Sequence, residues 1–377
     1  MNILVAPDKF RGSLEAAEVC SAIEQGILLA FPNASVTSVP LADGGEGTAE
    51  ILTKQAFGSK VKVKVKDPLG RLIEASYGLS KDKKTAFIEM AAASGLSLLT
   101  VEEHNPLLSN TYGTGELIKN ALDQGAQNIV LGIGGSATTD GGTGMASALG
   151  YRFYNHENSL IEPNGASLHE IQTIDSTHVD PRLNAVSITV ACDVTNPLTG
   201  LNGAAYIYGP QKGASPEMVK ILDNGLKKLT AVASETFGKD VSRNPGAGAA
   251  GGLGAGCLWF LNAVLKDGTS IVMEQSGIAR LIETADLVIT GEGKVDEQTL
   301  NGKVVKGLAD YCHKFKVPLA VVCGTLQISP EQVRAAGMTY AVSVLNRPMD
   351  LNVAQKEAFD LVKEATFHLV RLFFLNR

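Results

Sequence analysis

The pattern at the two ends of the chain constrains its fold more than any other feature: short continuous apolar runs alternate with segments of helical period. Residues 3–6 are such a run, which suits a strand buried on both faces of a sheet. Ser13 then reads as a helix N-cap, with Glu15, Ala16, Val19, Ala22, Ile23, Ile27 and Leu28 recurring at helical spacing until Phe31-Pro32 stops them. Residues 36–40 read as a second strand and 46–57 as a second helix. A third strand at 61–65 has a strict apolar/lysine alternation that marks a wet or edge position. The last hundred residues repeat the grammar, with strands at 286–290, 318–323 and 340–345 between helices at 299–314, 330–336 and 353–374. In the middle, residues 73–77 and 85–90 read as paired strands. A helix from Gly113 follows, then strands at 128–133 and 187–191. This order predicts an α/β fold: an open, doubly wound domain built from residues 1–66 and 276–377, with residues 67–275 as an inserted second α/β domain. The length of 377 residues suits two domains.

Charge and cysteine narrow the setting. Lys and Arg number 33 and Asp and Glu 39, a net charge of −6 without a block of either sign, so no basic face offers itself to nucleic acid. The five cysteines form no C-x-x-C pair, which is the usage of a reducing compartment. The first residues lack the basic start of a secretory signal, and no apolar run approaches the roughly 18 residues that span a bilayer. The expectation is a cytoplasmic protein without nucleic-acid or membrane partners, as a monomer or a homodimer.

Glycine is in excess, with 40 in 377 residues against an average usage of roughly 7%. Much of it follows the strands, mixed with acids. Asp8 and Gly12 follow the first strand, and Asp43-Gly44-Gly45-Glu46 the second. Gly134-Gly135-Ser136-Ala137-Thr138-Thr139-Asp140-Gly141-Gly142 follows residue 133, Asp193 follows Cys192, and Gly291-Glu292-Gly293 with Asp296 follows Thr290. In an open α/β sheet, ligands bind outside the carboxyl ends of the strands. Bare backbone lets phosphate reach amide N–H groups, while carboxylates hold Mg²⁺ on phosphate oxygens or accept a proton from a hydroxyl. Turn formation alone explains any one Asp-Gly or Gly-Gly pair; five such loops on strand ends favour a phosphate and metal site.

Common motifs are excluded. Residues 246–251 match G-x-G-x-x-G but follow no strand, which leaves a glycine-rich helix start that packs closely on a neighbour. No Walker A run, protein-kinase signature or G-x-S-x-G elbow occurs, and the six histidines show no zinc spacing. Cys192 and Cys323 end strands and read first as buried small hydrophobes. Among the cations, Lys9, Lys212 and Lys303 stand out because glycine lies within four residues of each.

Taken in order, residues 6–13, 42–48, 132–142, 192–198, 209–214 and 246–254, with 290–293 and Asp296, Gln298, Thr299, Gly302 and Lys303, resemble the type 1 glycerate kinase family over the whole chain. The resemblance implies a Rossmann- or flavodoxin-like domain with an inserted α/β domain, and an active site in the cleft between them. It also implies ATP-dependent, Mg²⁺-assisted in-line phosphorylation of D-glycerate, with 2-phosphoglycerate favoured over 3-phosphoglycerate. Lys9 and Arg11 depart from the family's usual Ser and Lys, shifting a cation by two positions.

On this reading the catalytic acids are Asp43, Glu46, Asp193, Glu292 and Asp296, with Asp43 and Glu46 beside the acceptor hydroxyl. Asp193, Glu292 and Asp296 hold Mg²⁺ or act as base. Asp8, Lys9, Arg11, Ser13, Lys212 and Lys303 bind substrate: Lys9 and Arg11 meet the glycerate carboxylate, and Lys212 or Lys303 the transferring phosphoryl group. Gly134, Gly135, Ser136, Thr138, Asp140, Gly141, Gly291 and Gly293 cradle the nucleotide phosphates. The alternatives are a kinase of another small hydroxy acid and a non-enzymatic sugar-acid sensor.

Overall fold

The computed structural model describes residues 1–42, 47–297, 299–301 and 304–375. The chain divides into two compact units, Met1–Asp43 with Thr269–Arg377, and Gly44–Gly268. Both are mixed α/β.

The first unit holds five parallel strands in the order Tyr340–Ser343, Leu319–Leu326, Leu287–Val295, Asn2–Val5 and Ser35–Ser38. The two ends of the chain meet in this sheet, with Ile3 beside Leu287 and Val5 beside Ile289. Ile3, Leu4, Val5, Val288, Ile289, Val321 and Val322 are all buried, and strands covered on both faces need apolar side chains on both. Helices Ala16–Ala30 and Ala358–Phe373 pack together over the sheet, burying Val19, Ile23 and Ile27 with Leu361, Val362 and Val370. Gly26 allows their close approach, because a Cβ there would lie 2.4 Å from the Lys363 carbonyl oxygen.

Local details depart from the sequence reading. Ser13 does not cap the first helix: Glu15 does, in a capping box in which the Glu18 carboxylate accepts from the Glu15 amide at 2.8 Å. Gly12, at φ +81°, folds Phe10 and Leu14 back onto each other and delays the helix start, so the Ser13 hydroxyl donates to the Phe10 carbonyl at 3.0 Å. The helix expected at 353–374 is two, Leu351–Lys356 and Ala358–Phe373, separated at Glu357. The one expected at 299–314 is a single 3₁₀ turn, Thr299–Asn301, and a helix Val304–Phe315.

The second unit has a six-stranded sheet in the order Val264–Lys266, Ser187–Ala191, Asn128–Gly132, Thr85–Glu89, Leu72–Leu79 and Ser59–Lys66. The first four strands are parallel and the last two are antiparallel. Ser59–Lys66 is therefore not the third strand of the first sheet. It forms a hairpin with Leu72–Leu79, Val61 opposite Tyr77 and Val65 opposite Ile73. Its alternation is that of an edge strand, and the turn decides which sheet owns the edge: Asp67 accepts from the amides of Leu69 and Arg71, each at 2.9 Å. A small antiparallel sheet of Leu160–Ile161, Arg152–Tyr154 and Thr173–Asp175 completes the unit. Its two- and three-residue strands are too short to show a period in the sequence. Among the described residues no helix is long and apolar enough to cross a membrane.

Candidate active site

In the second unit Glu89, Gly132 and Ala191 lie abreast on three parallel strands, so the segments that follow them leave from one edge of the sheet. Ile133, Gly134, Gly135 and Ser136 from one strand end, and Ala191, Cys192, Asp193 and Val194 from the next, line a pocket of about 400 Å³. Tyr208, Gln211 and Lys212, together with Leu96, Ala249 and Ala250, close its walls. The sequence reading named three of these, Ser136, Asp193 and Lys212, as site residues outside the glycines and missed Leu96, Tyr208, Gln211 and Val194. The run 246–251 is the expected close packing element. Gly251 has φ +68°, and a Cβ there would lie 1.9 Å from the Thr138 carbonyl oxygen. The Gly141 amide donates to the Gly251 carbonyl at 3.1 Å, backbone against backbone.

Lys212 ends a 3₁₀ turn, Pro210–Lys212, whose exit needs Gly213 at φ +90°. Its side chain is 1% exposed, and its ammonium donates to the Ser136 hydroxyl and the Thr138 carbonyl, each at 2.6 Å. Among the described residues no carboxylate pairs with it. Burial lowers its pKa to about 7, and Asp140 acting through space opposes that only in part. Asp140 is buried below this loop. Its carboxylate accepts from the Thr111 amide and hydroxyl at 2.8 and 2.7 Å and from the amides of Gly142 and Gly144 at 3.2 and 3.0 Å. Burial raises its pKa against the pull of those donors. Asp140 ties the loop to the start of the helix Tyr112–Asp123, and Gly141 packs against Leu229 and Gly251. The hydroxyls of Thr138 and Thr139 are buried with no hydrogen-bond partner among the described residues, which is uncommon for buried polar groups.

Asp193 is exposed at the pocket, and its carboxylate accepts from the Gly268 amide at 2.7 Å. Cys192 is half-buried, its thiol donating to the Val194 carbonyl at 3.4 Å, and burial pushes its pKa up. Cys323, in the other unit, is buried and donates to the Val342 carbonyl at 3.4 Å. Glu89, which the sequence reading passed over, caps the helix Thr48–Gln55 by accepting from the amides of Gly47 and Ala49, each at 3.0 Å. The signal was present: Glu89 is one more acid at the end of an apolar strand.

In the first unit the ends of Asn2–Val5 and Leu287–Val295 carry a second group. The Asp8 amide donates to the Gly291 carbonyl at 2.9 Å, and the Thr290 hydroxyl to the Ala6 carbonyl at 2.7 Å. The nearly buried Asp8 carboxylate accepts from the Lys9 amide at 2.7 Å. Gly293 lies against the turn that holds Arg11: a Cβ on it would be 3.2 Å from the Arg11 amide. Glu292 is 6% exposed and accepts from the Thr299 hydroxyl at 2.5 Å. The same Thr299 oxygen accepts from the Asp296 amide at 3.1 Å, and Asp296 pairs with Lys294 at 2.9 Å. Thr299 thus fixes Glu292 and Asp296 relative to each other.

Asp8, Lys9, Arg11, Ser13, Gly291, Glu292, Gly293 and Asp296 therefore belong to one strand-end group, and Gly134, Gly135, Ser136, Asp193 and Lys212 to one pocket. Thr138 joins that pocket's wall through its carbonyl. Asp43, Glu46 and Lys303 lie outside the described residues. Among the described residues no three His, Cys, Asp or Glu side chains form a metal cage. Mg²⁺ needs less, because one or two carboxylates suffice when phosphate and water fill the shell, and the oxygen donors Glu292 and Asp296 joined through Thr299 meet that need.

Fold and site together define an α/β protein of two units whose strand-end loops combine glycine and carboxylate, with a buried lysine from the turn Pro210–Lys212 bonded to one of them. The model of the glycerate kinase family matches residues 3–374, and the chain belongs to that family. It is 46% identical to a glycerate kinase of Bacillus cereus, covering 95% of this chain and 94% of that one. It is likewise 46% identical to the glycerate 2-kinase of Escherichia coli K12, over 97% of this chain and 96% of that one. A crystal structure assigned as glycerate kinase 2 from Salmonella typhimurium LT2 shares the fold with a TM-score of 0.91 at 42% identity, covering 100% of this chain and 98% of that one.

Proposed function

We propose that this chain transfers the γ-phosphoryl group of ATP to a hydroxyl of D-glycerate, with 2-phosphoglycerate as the favoured product. The observation that carries the reading is Lys212, a buried cation that pairs with no carboxylate among the described residues and is bonded to the glycine-rich strand-end loop at Ser136 and Thr138, in a chain of the glycerate kinase family. A cation in that position calls for an anion, and phosphate is the anion such loops receive. The name of the Escherichia coli relative, glycerate 2-kinase, supports the 2-position. The five parallel strands of the first unit support its reading as a doubly wound, Rossmann- or flavodoxin-like domain, with the second unit inserted. Cytoplasm suits a chain whose five cysteines are thiols.

In the reaction the acceptor hydroxyl oxygen attacks the γ-phosphorus in line. A new P–O bond forms, the bond from the γ-phosphorus to the bridging oxygen breaks, and ADP leaves with that electron pair. The hydroxyl proton passes to a strand-end carboxylate, for which Asp43 and Glu46 remain the assignments. Lys9 and Arg11 bind the glycerate carboxylate beside Asp8. Backbone amides of Gly134, Gly135 and Ser136 and the Lys212 ammonium hold phosphate oxygens, and Gly291 and Gly293 keep the Glu292 backbone uncrowded. Mg²⁺, when bound, would neutralise phosphate charge; Glu292 and Asp296, or Asp193, are the carboxylates that would hold it.

A coupled ADP-release assay with D-glycerate, tartronate and glucarate tests the reading. The expected result is the highest kcat/KM with D-glycerate, with turnover lost in Asp43→Asn and Asp193→Asn at unchanged Tm. ADP release with none of the three acids overturns it.

A further inference from the structure

We infer that Glu89 is a positioning residue of the phosphoryl transfer: its carboxylate anchors the start of the helix Thr48–Gln55, which follows Asp43 and Glu46 in the chain, to the strand edge that carries the glycine-rich loop. The inference deepens the kinase reading above and rests on it. That helix has eight residues, too few to hold itself in water, and it begins without a cap of its own. Its N-cap position is Gly47, at φ +91°, which has no side chain to accept from the first-turn amides. Glu89 supplies the acceptor from 40 residues or more along the chain: its Oε1 takes the Gly47 and Ala49 amides, each at 3.0 Å. An ionised acceptor at a helix N-terminus makes stronger bonds than a neutral one and suits the helix dipole. A local Ser or Asp would cap the helix wherever it lay, whereas an acid on a distant strand fixes where the helix begins. Glu46 is the residue before Gly47, and Asp43 comes three residues earlier. The helix start is therefore the point to which both proposed acceptor acids are attached.

Glu89 is tied as firmly to the other side. It stands abreast of Gly132, whose missing side chain leaves it room: a Cβ on Gly132 would lie 3.7 Å from the Glu89 Cγ. The glycine-rich loop leaves the sheet just beyond Gly132, and the segment after Glu89 is bonded along it. The Met90 amide donates to the Gly132 carbonyl at 2.8 Å, the Leu96 amide to the Gly135 carbonyl at 2.9 Å, and the Ala137 amide to the Ser94 carbonyl at 3.0 Å. One side chain thus sets the helix start that bears the acceptor acids against the loop proposed to hold phosphate. In-line transfer depends on that alignment, and a small misplacement costs turnover more than binding.

Steady-state kinetics of the full-length protein with ATP and D-glycerate test the inference in wild type, Glu89→Ala, Glu89→Gln and Glu89→Asp. The first variant removes both bonds, the second keeps an acceptor oxygen at the same reach without the charge, and the third keeps the charge but is one methylene too short. Expected are a fall in kcat of about 10- to 100-fold in Glu89→Ala and at least about tenfold in Glu89→Asp, with the KM for ATP within about threefold of wild type. Glu89→Gln should recover kcat to within about fivefold of wild type. Should Glu89→Ala not fold, the order of Glu89→Gln above Glu89→Asp decides alone. Wild-type kcat in a folded Glu89→Ala or in Glu89→Asp overturns the inference. So does a kcat lower in Glu89→Gln than in Glu89→Asp, because the charge and not the reach would then be what the reaction uses. A wild type that phosphorylates no acid overturns the kinase reading, and the positioning role falls with it.

Discussion

Lys212, a buried cation at the end of the turn Pro210–Lys212, and Asp140, the buried carboxylate of the glycine-rich loop it reaches, do not pair with each other. Lys212 donates to Ser136 and Thr138, while Asp140 accepts from Thr111, Gly142 and Gly144. The carboxylate therefore holds the loop in shape, and the cation remains available to a ligand. The two substitutions should separate accordingly.

Lys212→Met replaces a buried unpaired cation with an apolar chain of similar length, a change that is neutral or stabilising when no charge is left orphaned. Its Tm at pH 6 should equal or exceed that of wild type, while kcat/KM for ATP falls by at least about 10²-fold. Thermal melts and steady-state kinetics on one preparation check both.

Asp140→Asn puts an amide NH₂ among amide and hydroxyl donors that have no other acceptor. It should cost about 3 kcal/mol, a fall in Tm of about 6–12 °C, read by differential scanning calorimetry.

Lys212 also sets a pH dependence. Its folded pKa of about 7 lies below the ordinary 10.5, so between those values the unfolded chain binds the proton and the folded chain does not. The resulting stability rises with pH across that window and is lost as pH falls through it. Anion binding needs the charged form and runs the other way: the Kd for ADP should rise by up to about tenfold per pH unit above about pH 7, and Lys212→Met should flatten that profile. Calorimetric titrations between pH 6 and 9 measure it.

Thr299 holds Glu292 through a bond of 2.5 Å and Asp296 through its amide. Thr299→Val keeps the volume and removes both bonds. A drop in kcat of about 10- to 100-fold with little change in the KM for ATP is expected, with recovery in Thr299→Ser. Glu292→Gln should lose at least as much in kcat as Thr299→Val. Equal kcat in Thr299→Val and wild type removes Thr299 as a positioning residue.

The sequence carried the parallel strands well, because buried strands such as Asn2–Val5 and Asn128–Gly132 are written as continuous apolar runs, and a strand-end loop follows directly in the chain. What it hid is non-local. The alternation of residues 59–66 announces an edge without saying of which sheet, since the answer lies in pairing with Leu72–Leu79. Glycine beside Lys212 was visible, but its burial depends on a loop some seventy residues away, that of Ser136 and Thr138. Tyr208 reaches the pocket wall from a segment without any charge or motif to mark it. Ser13 shows the local limit: a good capping residue is displaced when Gly12 turns the chain first.

Phosphorus NMR of the product made from ATP and D-glycerate by the purified protein tests the central claim most directly. The account predicts ADP and one new phosphomonoester in equal amounts, its phosphorus coupled to the single proton on carbon 2. Inorganic phosphate in place of a phosphomonoester, or no change in the ATP signals, would contradict it.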